Sequence, residues 1–96
     1  MTRHVILGNW TDQGIRNVKE SPKRIENARA MFEKAGGKLD IWYTMGKYDF
    51  VGVAETPNDE TYMQLALQLG SLGNVRTTTL KAWTAAEGLK VIGKLQ

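Results

Sequence analysis

The 96-residue sequence contains no cysteine. That excludes a disulfide framework, a thiolate zinc site and a cysteine nucleophile, and it fits a cytoplasmic setting, where thiols stay reduced. Histidine occurs once, as His4, so a histidine-rich metal centre is excluded and no metal or cofactor is expected. No apolar run approaches the roughly 18 residues of a membrane span, and the polar start MTRH leads into no signal-peptide core. Neither membrane association nor processing is therefore expected. Charge of one sign is also scarce in net terms: 13 basic against 10 acidic side chains leave +3, too little to argue for nucleic acid. The patterns GxGxxG, P-loop, GxSxG and HExxH do not occur.

What charge there is lies unevenly. Residues 16 to 38 hold seven basic and three acidic side chains, whereas 48 to 75 hold four acidic and no basic ones. These segments read as the solvated faces of two helices, with an anion site near the first helix as the alternative. The length fits one domain over residues 1–96, and a chain this small buries only about two thirds of its unfolded surface. Association with a second copy would help it.

Along the chain, HVILGNW (4 to 10) is rich in branched and aromatic residues and precedes a turn-like TDQG, which predicts a strand. The segment after it predicts a short helix with Ile15 and Val18 inward. Ser21 and Pro22 supply an N-cap and a first-turn proline for a second helical stretch, in which Ile25, Ala28, Phe32 and Ala35 recur at helical spacing until the glycine pair at 36 and 37. KLDIWYTM and YDFVGVAET predict two strands joined by a tight turn at Gly46 and Lys47. Asn58 then caps a helix expected to pack through Met63, Ala66 and Leu67, with Leu69 or Gly70 as a further inward position, and Gly73 closes it. VRTTTLKAW predicts a last strand, and Thr84 with Glu87 forms a capping box opening a terminal helix through Leu89 and Ile92. The fold class is α+β, a ferredoxin-like β-α-β-β-α-β order with a short C-terminal helix and helices on one face of a four-stranded sheet.

The tight turn sets a register that pairs Tyr43 with Phe50, Ile41 with Gly52 and Leu39 with Ala54 on one face, and Trp42 with Val51 and Asp40 with Val53 on the other. Helices can cover only one of these faces, so Trp42, Val51 and Val53 are expected to lie open. An apolar patch of this kind marks an interface, which predicts two sheets packed face to face in a symmetric homodimer.

The same residues resemble the GYD domain family: GKYDFVGVAE carries Gly46, Tyr48 and Asp49, and TDQGIRNVKESPKR, GGKL, YTMGKYD, ETPND and GNVRTTTLKAW look like the family's pattern in order. The resemblance implies a ferredoxin-like dimeric α/β barrel and carries over no catalytic residue. The hairpin is also similar to that of Lrp-type effector domains, but the first strand begins too early for a preceding helix-turn-helix. GKYDFVGV partly matches the aromatic octamer of RNA-recognition domains, yet Asp49 stands where a small residue belongs and would repel phosphate, so RNA binding is not expected.

Six residues are candidates for a ligand site. Trp42, Tyr43, Tyr48 and Trp83 could line a pocket for a flat or aromatic molecule, the ordinary alternative being core packing. Asp49 could bind a ligand or accept backbone hydrogen bonds that hold the hairpin in register. His4 could serve as acid, base or haem ligand, the alternative being a strand-end side chain in contact with solvent. The leading expectation is a homodimeric module binding a small apolar or aromatic molecule between its sheets. A small cofactor-independent enzyme of monooxygenase or isomerase type, and a purely structural association domain, are the other two.

Overall fold

A computed structural model describes residues 1–96. The elements are β1 (Thr2–Trp10), α1 (Asp12–Arg16), a single turn at Val18–Glu20, α2 (Ser21–Lys34), β2 (Lys38–Tyr43), β3 (Phe50–Thr56), α3 (Asp59–Ser71), β4 (Val75–Ala82) and α4 (Ala85–Ile92). The four strands form one antiparallel sheet in the order β2-β3-β1-β4, the ferredoxin-like order. α2 and α3 cover one face of it.

Alternation decides which side chains meet the helices. In β3 the burial pattern is strictly every second residue, with Phe50, Gly52, Ala54 and Thr56 buried and Val51, Val53 and Glu55 half-buried. β1 repeats it with His4, Ile6 and Gly8 buried. Phe50 lies across Gly8, where an added Cβ would stand 2.0 Å from its ring, and tilts against Trp10 at 5.4 Å between centroids. Ala28 and Phe32 of α2, Leu39 of β2, and Tyr62 and Leu65 of α3 complete the core.

The hairpin register is the expected one, Tyr43 opposite Phe50 through Leu39 opposite Ala54. The ladder stops at that first pair, however, and residues 44 to 49 form a wider loop rather than a two-residue turn. Thr44 N–H donates to Asp49 O at 2.9 Å and Thr44 Oγ1 to Tyr48 O at 2.7 Å, while Gly46 adopts φ 118° and Met45 is fully exposed. Only glycine takes that φ at little cost.

Three packing expectations need correction. Ile15 and Val18 point outward; Gly14 is the buried residue of α1, so close to the Asn74 carbonyl that an added Cβ would lie 1.9 Å from its oxygen. In α3 the inward residues are Tyr62 and Leu65, with Ala66 and Leu69 beside them, whereas Met63 and Leu67 face solvent. Ser21 does not cap α2. It is the helix's first residue, and its buried hydroxyl meets Tyr43 OH at 2.8 Å. The cap expected at Asn58 is present, its Oδ1 accepting from Thr61 N–H at 2.8 Å.

Candidate functional site

The side of the sheet away from α2 and α3 carries no helix. Strand alternation places Val5 and Leu7 of β1, Trp42 of β2, Val51 and Val53 of β3 and Leu80 of β4 on it, and the strand pairing makes them neighbours: Trp42 opposite Val51, Val53 opposite Val5, Val51 opposite Leu7, Val5 opposite Leu80. Trp42 is 55% exposed and Leu80 49%. Apart from Asp40, opposite Val53 on the edge strand β2, charge on this face lies at the strand ends. At one end Arg3 bridges Glu55 at 2.6 Å and Glu87 at 3.1 Å, which ties the start of α4 to the same face. The hydrogen bond that Arg3 donates to Glu55 holds its guanidinium above its ordinary pKa, and the Thr84 backbone N–H, donating to the Glu87 carboxylate, holds that group below its own.

α4 extends from that corner. Its capping box is complete, with Glu87 N–H donating to Thr84 Oγ1 and Thr84 N–H to the Glu87 carboxylate. Yet none of its residues is buried, and Leu89, Val91 and Ile92 are each about 60% exposed. An amphipathic helix of eight residues is too short to persist on its own propensity; it requires packing.

A second concavity lies on the opposite side, inside the helix layer. α2 and α3 splay above the sheet and leave a cleft of about 150 Å³ between Met31, Ala66, Leu69, Ile41 and Val75, with Trp10 at one wall. Arg24 is the one charged residue that lines it.

The six candidate residues occupy separate places. Trp42 is on the open face. Tyr43 faces the helix layer, its hydroxyl on Ser21. Tyr48 sits in the hairpin loop beneath the Lys47 ammonium, 5.7 Å from its ring centre. The Asp49 carboxylate accepts from Trp10 N–H at 2.8 Å and Asp49 N–H donates to Gly8 O at 2.8 Å, so the residue fastens the hairpin to the end of β1. Trp83 follows β4, 60% exposed, with Lys81 over its ring.

His4 is not a solvent-facing strand end. It is buried at 6% exposure, stacked on Tyr62 at 4.0 Å, with Nε2 3.4 Å from Asp59 Oδ1 and Nδ1 without a partner. Burial pushes its pKa down, against the attraction of Asp59. Burial likewise raises the Tyr62 phenol, whose hydroxyl meets Thr79 Oγ1 at 2.8 Å. Lys81, 2.6 Å from Asp59, keeps that carboxyl below its usual range. The group is closed over by α3 on the helix side, away from the open face.

Comparison with known proteins follows this geometry. A curated relative from Thermus thermophilus, "Glutamine synthetase and cystathionine beta-lyase binding protein", is 32% identical over 89 residues, covering 91% of this chain and 94% of its own. The crystal structure of TTHA0845 from the same organism superposes with a TM-score of 0.57 at 21% identity, covering 88% of this chain and 96% of that one, and so shares the fold. The GYD domain pattern matches residues 4–92, almost the whole length. The chain belongs to the GYD domain family.

Proposed function

We propose that this chain is a protein-association module that works as a homodimer, two copies closing their open sheet faces on each other into an α/β barrel, with α4 of each packed along the other. The observation that carries this reading is the apolar stripe Val5, Leu7, Trp42, Val51, Val53 and Leu80 on a face that no element of the chain covers. A barrel closed in this way leaves both helical layers outward, where they can engage another protein. The name of the Thermus relative, a binding protein for two enzymes, supports an enzyme as the kind of protein engaged. Cytoplasmic residence accords with this reading; no helix is long and apolar enough to cross a membrane.

Sedimentation velocity at micromolar concentration tests the assembly. The wild-type chain is expected to sediment as a dimer and Trp42→Glu as a folded monomer, because a carboxylate beside Val51 would be buried without a partner against the second copy. A wild-type monomer with a native circular dichroism spectrum would refute the proposal.

A second reading, binding of a small molecule, is favoured by the apolar cleft between α2 and α3. It differs in place from a chamber between the sheets. Of the six candidate residues, only Trp42, on the edge strand β2, stands within the apolar stripe of the open face.

A further inference from the structure

We infer that the cleft between α2 and α3 is a site for a small apolar carboxylate, a benzene-sized hydrocarbon body bearing one anionic group, which Arg24 receives at the mouth. This rests on the small-molecule reading and gives it a ligand class. Two independent features lead to it, one of size and one of charge.

The cleft measures about 150 Å³, and its walls are overwhelmingly hydrocarbon and aromatic. An apolar cavity of about this volume admits a molecule the size of benzene. Of the polar groups that line it, the Ser21 hydroxyl is paired with Tyr43 OH and Asn74 Oδ1 accepts from Gln13 Nε2, which leaves Arg24, Asn27 and Thr77 for an occupant to meet.

Arg24 supplies the charge. Its side chain is only 21% exposed, yet its sole hydrogen bond is a long one, Nη2 to Gly14 O at 3.4 Å. The nearest carboxylate, Glu20, lies 4.0 Å away and is itself 75% exposed. A guanidinium has five N–H donors in a planar fork and pairs best with a carboxylate in bidentate fashion. Here one long bond is all that occupies the fork within the protein, the side chain as a whole is 21% exposed, and no acidic residue lines the cleft. A partly buried cation with unfilled donors beside an apolar cleft favours an anion whose remainder is apolar. The excess of basic residues over 16 to 38 adds a field of the same sign around it.

The test is a titration of the full chain followed by nitrogen-15 NMR, with benzoate and with benzyl alcohol, its neutral counterpart of nearly equal shape. Benzoate is expected to shift the Trp10 indole and the Ala28 and Ala66 amides and to bind about tenfold more tightly than benzyl alcohol, the margin a charge-assisted pair provides. Arg24→Gln should remove that margin and leave benzyl alcohol binding unchanged. Ala66→Leu, which fills the cleft, should abolish both without unfolding the protein. If benzyl alcohol binds as tightly as benzoate, or Arg24→Gln leaves the ratio unaltered, the carboxylate inference is overturned while small-molecule binding stands. If neither compound perturbs the cleft, both are overturned.

Discussion

His4 shows how a residue's neighbours set its chemistry. Facing the helix layer on β1, it is stacked on Tyr62 of α3, with Asp59 of α3 and Lys81 of β4 as the charged groups around it. Desolvation is the largest influence and favours the neutral ring; Asp59 opposes it, and Lys81 acts with it. The folded-state pKa therefore lies below the unfolded value of about 6.5. Above that unfolded value neither state binds the proton and the stabilisation is complete. As pH falls below it, the unfolded chain takes up a proton that the folded one refuses until its lower pKa is reached, so stability declines across this window and then levels. Each pH unit inside the window costs up to about 1.4 kcal/mol. Urea midpoints at pH 7.5 and pH 5.5 should accordingly separate more for the wild type than for His4→Phe, which keeps the stack and cannot titrate. Equal separations would show that the ring charges freely in the fold. A lone histidine near a strand's start gives no sequence sign of this burial, because the partner ring is 58 residues away in α3.

At the scale of elements, what was legible is what local chemistry dictates. Strand parity in β3 follows from FVGVAET itself, and the capping pairs Asn58–Thr61 and Thr84–Glu87 form as their spacing requires. The phase of α3 was less legible: Met63 and Leu67 share helical spacing as well as Tyr62, Leu65 and Ala66 do, and only the position of the sheet decides between the two stripes. Ser21 departs from its expected capping role for a related reason, since the Tyr43 hydroxyl of β2 pairs with it, a contact across the fold that local capping rules cannot contain. The cleft and Arg24 were invisible for the same cause, because the gap exists only once α2 and α3 are splayed over the sheet. α4 is the element whose behaviour tests the assembly. If it packs on a second copy, hydrogen exchange of its backbone amides should be slow in the wild type at high concentration and fast in Trp42→Glu, whereas β1 and β3 amides stay protected in both. Equal protection of residues 85–92 in the two proteins would leave α4 without a role in the interface.

The whole molecule is more extended than its size requires. A compact monomer of 10.7 kDa exposes about 5,500 Å² and has a radius of gyration near 12.5 Å, whereas this chain exposes 6835 Å² with a radius of 14.7 Å. The excess is roughly 1,300 Å², more than the ~800 Å² per partner that a standard interface buries. Its sources are visible: a sheet covered on one side, a projecting terminal helix, and a long dimension of 52 Å against 17 Å in the thinnest direction. Only 14 of the 96 residues are buried, so much of the hydrophobic stabilisation available to this sequence is left unused by one copy. Mass action then makes stability depend on concentration. For a dimer that dissociates as it unfolds, each tenfold dilution removes about 0.7 kcal/mol per chain, which in a domain of this length lowers the thermal midpoint by about 3 to 5 °C. Calorimetry between about 2 and 200 μM should therefore show a fall of about 6 to 10 °C on dilution for the wild type and none for Trp42→Glu. A wild-type midpoint independent of concentration would mean that the open face is stable as an exposed surface, and the surplus area would then have to serve a partner other than a second copy.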